Sequence, residues 1–240
     1  MQISAIIPTF NEEATIRKTL DAVSRLVNVD EIVIVDGGSS DATVTIIETA
    51  TITKPLHLIK LEVANRGIQL HEGTKHAKHE IFWFLHADTR PVQGSARQIK
   101  ERLRYDEIIG GSFAITFDGT TRWAKFLTWL YPHLRSVGMV FGDSAMFVRR
   151  SAYEAAGGFR PYPILEDVDL FKRLRKHGIF DFVSLPATLS SRRFEHDAFF
   201  WAFVKWLGVQ TLFWIGVPAA TLVRVYERGK KTGIRPADDR

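Results

Sequence analysis

The sequence predicts an α/β chain: a mostly parallel sheet flanked by helices, followed by a C-terminal helical extension. Three observations carry that expectation. Short apolar runs alternate with stretches of helical periodicity from Ile3 to Leu85. The run Ile81-Phe82-Trp83-Phe84-Leu85 has no polar residue, the pattern of a strand buried on both faces. Finally, three of the runs lead into polar or glycine-rich clusters, at Pro8 to Glu12, Asp36 to Asp41 and His86 to Thr89.

In chain order, Ile3 to Ile7 reads as a first strand stopped by Pro8-Thr9-Phe10. Asn11 is placed to cap a helix with Glu12 and Glu13 in its first turn and Ile16, Leu20, Val23 and Leu26 on its apolar face. A second strand, Glu31 to Val35, enters Asp36-Gly37-Gly38-Ser39-Ser40-Asp41, where glycines permit a sharp turn and close approach to a ligand. The same residues also serve an ordinary turn. A third strand, Leu56 to Leu61, and a helix near Gln69 to His79 lead to the fourth strand. Strand–helix alternation implies parallel pairing with right-handed crossovers, so all three clusters fall at one sheet edge. There Asp88 reads either as a cap for a following helix or as a metal-holding carboxylate.

Composition narrows the function. The 240 residues are 45% hydrophobic, enough for one sizeable domain. Lys and Arg outnumber Asp and Glu by 32 to 27, a mild excess that suits an anionic ligand or a membrane surface. No nucleic-acid motif accompanies those cations, so no nucleic-acid partner is expected. Cysteine is absent, which excludes disulfides and thiolate metal sites. The N-terminus enters a strand without a signal-peptide pattern, and a cytoplasmic location is expected. The first loop has no dinucleotide fingerprint, and no P-loop is present, which argues against nicotinamide enzymes and the common kinases and ATPases.

The stretches Ile7-Pro8-Thr9-Phe10-Asn11-Glu12-Glu13, Val35 to Asp41 and Leu85-His86-Ala87-Asp88-Thr89 together resemble the inverting family-2 glycosyltransferases with the GT-A, Rossmann-like fold. The resemblance implies a nucleotide site built from Pro8, Phe10, Asn11, Glu12, Asp36, Gly38, Ser39, Arg66, His86 and Ala87. It implies a divalent metal, Mn²⁺ or Mg²⁺, on Asp88. The family's Asp-x-Asp signature stands here as His86-Ala87-Asp88, so its first carboxylate is replaced by an imidazole. His86 is read as packing or facing ribose, with a nitrogen ligand to metal as the alternative. Asn65 to Gln69 followed by Leu85 to Thr89 looks like a bacterial subgroup often found beside radical-SAM genes.

Further on, Ser112 to Phe117 alternates as a strand near the sheet edge. Trp123, Phe126, Leu127, Leu130 and Tyr131 form a helical apolar face, read as core packing or as a wall of an acceptor pocket. Phe141 to Val148 is a turn entering a strand, and Arg149-Arg150-Ser151 begins a short helix closed by Gly157-Gly158-Phe159. Leu165 to Leu170 sets Glu166, Asp167 and Asp169 at a helix start, where acids are favoured by the dipole alone. The resemblance makes Asp167 the catalytic base and places Gly142, Asp143 and Glu166 in the acceptor or catalytic loop. Asp169 is expected to be a cap or surface group. The Arg192-Arg193 pair reads equally as solvated or as reaching a diphosphate. Of His71, His76 and His79 only the last two have surface-neighbour spacing, and no carboxylate completes the set that a zinc site needs.

The expected division is 1–196 for the transferase body and 197–240 for an apolar extension with a basic tail. Trp206 to Val223 carries no formal charge, but Pro218 is expected to break its helix before it could span a bilayer. Packing on the body or on a second subunit, as in a homodimer, is one expectation. The other is an interfacial helix pair with Lys205, Arg224, Arg228, Lys230 and Lys231 near lipid headgroups, which would suit a lipid-linked acceptor. The function expected is metal-dependent, inverting transfer of a sugar from a nucleotide-sugar donor, UDP first and GDP second, to a hydroxyl acceptor. A sugar-nucleotide nucleotidyltransferase is the alternative, although it would carry a glycine- and basic-rich first loop. A non-catalytic nucleotide-sugar-binding protein is another.

Overall fold

The structure is a computed structural model that describes residues 1–136, 145–162, 164–190, 199–218 and 221–222. Its first half follows the alternation: β1 (Ile3–Thr9), α1 (Ile16–Ser24), β2 (Glu31–Asp36), α2 (Thr43–Glu48), β3 (Leu56–Lys60), α3 (Arg66–His76) and β4 (Ile81–Phe84). β1 pairs in parallel with β2 and β4, and β2 with β3. The second half adds β5 (Thr89–Pro91), α4 (Ser95–Arg102), β6 (Ile108–Phe117), α5 (Arg122–Ser136), β7 (Phe147–Arg149), α6 (Arg150–Ala155), α7 (Glu166–Leu174), β8 (Ile179–Leu189) and α8 (Phe199–Trp214). All the strands described form one sheet in the order β3-β2-β1-β4-β7-β6-β8-β5.

Alternate residues of the central strands feed two cores. Ile3, Ala5, Ile7, Ile32, Ile34 and Trp83 pack with Ile16, Leu20, Val23 and Ile99 on one face. Ile6, Val33, Val35, Phe82 and Phe84 pack with Leu70, Tyr153, Phe159, Leu170 and Phe171 on the other. Coverage of both faces explains why these strands are apolar throughout.

Several boundaries differ from expectation. β1 runs through Pro8 to Thr9, because β4 stops pairing at Ile6 and leaves Pro8 beside β2 alone, where a missing N–H costs little. Asn11 does not cap α1; it sits at φ 53° with its side chain committed to the second loop, and the helix begins after Thr15. No helix follows Asp88 directly, since β5 comes next, so the capping reading falls. β6 is not near the edge. It lies between β7 and β8, because β8, a strand absent from the sequence reading, pairs along its outer side.

β7 is antiparallel to both β4 and β6, which makes β6 and its parallel partner β8 run the same way as β4. The carboxyl ends of β1, β2, β4, β6 and β8 therefore share one edge. α8 and the residues after it pack on the start of α7: Val209 of α8 and Leu222 bury with Leu165 and Val168. Lys172 Nζ donates to the Phe213 carbonyl at 3.0 Å and lies over the Phe213 and Trp214 rings at 4.5 and 4.6 Å. The helix stops at Gly216 (φ 99°), where Val217 N–H bonds back to Leu212 carbonyl, so the break precedes Pro218. Among the described residues no helix is long and apolar enough to cross a membrane. Gly142, Asp143, Arg192, Arg193 and the cations from Arg224 onward lie outside the described residues.

Candidate active site

The first two loops are built as one unit. Asp36 closes β2, and its Oδ1 accepts from Thr9 Oγ1 at 3.0 Å and Ser39 Oγ at 2.6 Å. Its Oδ2 accepts the N–H groups of Gly38 at 3.0 Å and Ser39 at 2.8 Å. With three bonds accepted inside its own loop and a fourth from Thr9 on β1, this buried carboxylate shapes the turn, the ordinary role its loop residues also offered. Gly38, at φ 85°, supplies the left-handed backbone the turn requires. Asn11 Oδ1 accepts Ser40 N–H at 2.9 Å, Asn11 N–H reaches Ser39 Oγ at 2.9 Å, and Glu12 N–H reaches Thr43 Oγ1 at 2.7 Å. Glu12 is buried and takes the Thr15 hydroxyl at 2.6 Å, whereas Phe10 stands 43% exposed at the loop surface. Gln69, on α3, ties both loops down by donating to the carbonyls of Thr9 and Val35 at 2.8 and 2.9 Å.

One turn before Gln69, Arg66 begins α3 behind the Asn65 cap, whose Oδ1 accepts Ile68 N–H at 3.0 Å. Arg66 reaches across the fold. Its Nε pairs with Glu166, its Nη2 lies 3.5 Å from Asp167 Oδ2, and its Nη1 lies 3.1 Å from His86 Nε2. A guanidinium only donates, so His86 Nε2 accepts and Nδ1 carries the imidazole proton. That contact occupies the Nε2 lone pair that metal ligation through this nitrogen would use.

The acids stand at the start of α7. Leu165 before them adopts φ 61°, a left-handed conformation that an ordinary side chain holds only where the surroundings impose it. Glu166 is 2% and Asp167 8% exposed. Burial, reinforced by the neighbouring Glu166 charge and opposed by Arg66, pushes Asp167 up from the ordinary aspartate value to about 6. Asp169 is not a surface group. It is buried in an ion pair with Arg173 at 2.6 Å, and Arg173 also bonds the Ala156 carbonyl, fastening the end of α6 to α7. Gly67 permits the approach of α3 to this region, because a Cβ there would lie 2.5 Å from the Arg160 carbonyl oxygen. Gly67→Ala is expected to cost about 1–3 kcal/mol in denaturant unfolding, since backbone must shift. A melting curve identical to wild type would contradict this packing.

Arg66, His86, Glu166 and Asp167 line a small pocket walled by Phe84, Leu85, Met146 and Phe159. Beyond it the turn His86-Ala87-Asp88 closes with Thr89 N–H on the His86 carbonyl, and Thr19 pins the Ala87 carbonyl at 2.7 Å. Asp88 is 6% exposed. Among the described residues no group of three or more His, Cys, Asp or Glu side chains is arranged to hold a metal. One carboxylate fits Mg²⁺ or Mn²⁺ bound together with substrate phosphates, the usual manner for these ions, and not a cage made by protein alone.

The structure thus joins the first two loops into one unit and Arg66, His86, Glu166 and Asp167 into one pocket, with α3 common to both. The profile of "Glycosyl transferase family 2" matches residues 4–155. The chain belongs to this family. Glucosyl-3-phosphoglycerate synthase of Mycobacterium tuberculosis is 35% identical over 83 residues, covering 34% of this chain and 23% of that protein. Poly-beta-1,6-N-acetyl-D-glucosamine synthase of Staphylococcus epidermidis is 39% identical over 90 residues, 36% of this chain and 22% of that protein. The matches therefore span less than a quarter of these relatives' length.

Solved structures share the fold of this family-2 chain. S. aureus TarS 1–349 with UDP-GlcNAc superposes with a TM-score of 0.66 at 16% identity, covering 79% of this chain and 58% of TarS 1–349. The M. tuberculosis synthase in complex with Mn²⁺, UDP and glucosyl-3-phosphoglycerate gives 0.62 at 21%, covering 90% and 81%. Mannosyltransferase PcManGT of Pyrobaculum calidifontis with GDP-Man and Mn²⁺ gives 0.63 at 21%, covering 78% and 56%. The GT-A expectation holds at the level of fold. The Arg66 bridge escaped the sequence reading, which gave Arg66 only to the nucleotide; its sole local signal is the Asn65 cap beside it.

Proposed function

We propose that this chain is an inverting glycosyltransferase that moves a sugar from a nucleotide-sugar donor, UDP-linked in the first instance and GDP-linked in the second, to a hydroxyl acceptor. The observation that carries the reading is Asp167: a buried carboxylate with a pKa raised to about 6, on the pocket that ends at the His86-Ala87-Asp88 turn. A base of that strength is poised to accept the proton of an acceptor hydroxyl near neutral pH. As the proton passes to Asp167, the acceptor oxygen attacks the anomeric carbon from the face opposite the nucleoside diphosphate. The bond to the diphosphate breaks, and the configuration inverts. Arg66 favours the ionised form of Asp167 and keeps it in place, while the Asp36 loop and Asn11 are the floor expected under the nucleoside. The relatives' complexes with UDP or GDP-Man and Mn²⁺ support the donor class. A divalent ion on Asp88 would neutralise the departing diphosphate.

Calorimetric titration of UDP, GDP, CDP and dTDP, with and without Mn²⁺, tests the donor site. Manganese-dependent binding of UDP or GDP, weakened at least about tenfold in Asp88→Ala, is expected. Absence of binding by every nucleotide to the folded protein would remove the proposal.

A further inference from the structure

α5 has two unlike faces. Ala124 and Leu127 are buried with Tyr131 against Ile115, Phe117 and Leu189, which anchors the helix to the sheet. The opposite face, an arc of about 100° at helical spacing, carries Arg122, Lys125, Phe126, Trp129 and His133, all exposed. Phe126 is 40% and Trp129 60% exposed, so the expected apolar face of this helix is only partly core. The rings form a continuous ladder: Trp123 to Phe126 at 6.0 Å, Phe126 to Trp129 at 6.1 Å and Trp129 to His133 at 4.7 Å. No Asp or Glu occurs between Arg122 and Ser136, and neither Arg122 nor Lys125 joins an ion pair among the described residues.

We propose that this outer face of α5 rests on an anionic lipid surface. A helix lying in the headgroup layer needs aromatic side chains to enter the acyl boundary, and cations to meet anionic phosphates. Both sit here on one exposed stripe, without an acid to repel the surface. The fold starts this helix at the working edge, because α5 follows β6, whose carboxyl end shares the edge of β1, β2 and β4. α8 follows β8 in the chain and exposes Val204 and Leu212, with Ile215 exposed just past its end. The contact rests on α5 alone and stands apart from sugar transfer; nucleotide titration tests the one and vesicles test the other.

The full chain is sedimented with vesicles of phosphatidylcholine and of phosphatidylcholine mixed equally with phosphatidylglycerol. Wild type is expected to partition onto the anionic vesicles. The pair Arg122→Glu, Lys125→Glu should lower the partition coefficient about tenfold or more, as should raised salt. Phe126→Glu with Trp129→Glu should lower it comparably, while circular dichroism melting and nucleotide binding stay at wild type because these side chains are exposed. Wild type remaining in the supernatant with both vesicles overturns the proposal. So does equal partition of wild type and both pairs, which would assign binding to another segment. Concentration-dependent self-association abolished by Phe126→Glu with Trp129→Glu, without vesicle binding, would give the face to a second copy of the chain.

Discussion

Asp167→Asn is expected to lower turnover of a nucleotide-sugar donor by roughly 10²- to 10⁴-fold while leaving nucleotide binding near wild type. The same substitution should stabilise the folded protein at mildly alkaline pH. The folded pKa of Asp167, about 6, lies above the unfolded value near 3.9. Such a group favours the folded state below its unfolded pKa, and that advantage is lost as pH rises through the folded pKa. At about pH 8 ionised Asp167 therefore costs the native state about 1–3 kcal/mol, which asparagine removes. Denaturant unfolding of both proteins across the range checks the sign: the gain of Asp167→Asn should be full above about pH 6 and vanish below about pH 4. Wild-type kcat/KM should fall on the acid side of about pH 6, where the base is protonated, for the same reason. A variant destabilised equally at every pH would mean that Asp167 is a structural anchor and not a strained base.

Arg66→Ala is expected to damage stability and chemistry together. The guanidinium meets Glu166, Asp167 and His86 at once, so its loss leaves two buried carboxyl groups without their shared cation. Removing one partner of a buried ion pair costs several kcal/mol; about 2–4 kcal/mol is expected here, because the Arg66 side chain is itself 37% exposed. Asp167 would then lose the charge that now lowers its pKa, and the acid limb of kcat/KM should move above about pH 6. Arg66→Lys keeps the charge but not the fork, so it should restore part of the stability and little of the geometry. The limb's position separates this account from simple unfolding. If Arg66→Ala stays folded and its acid limb does not move, Arg66 does not control the base.

The first half of the fold was legible because its signals are local. The apolar runs of β1, β2 and β4 announce strands buried on both faces, and Asp36-Gly37-Gly38-Ser39 announces a turn whose glycine conformation appears as φ 85° at Gly38. The second half was less legible. Ile179–Leu189 mixes Asp, Ser, Pro and Thr with its apolar residues, and β5 is three residues long, so neither had a periodic signature strong enough to read. With β8 illegible, the alternation of Ser112 to Phe117 points to a strand near the edge, whereas β6 lies between β7 and β8. Asp169 misleads for a related reason: two residues from Asp167, it reads as a cap or surface group, but Arg173 one turn on and the end of α6 bury it.

By itself the sequence determined the α/β class, the three clusters at one sheet edge and the acids at the start of α7, since each depends on residues within a few positions of one another. Only tertiary structure decided that Arg66 serves acids a hundred positions away, that β7 runs against its neighbours, and that burial pushes Asp167 up to about 6. Those outcomes arise from burial and from charges brought together by packing. A carboxylate's free energy of ionisation depends on the solvent it loses and the charges it meets, and neither is written in its neighbours along the chain.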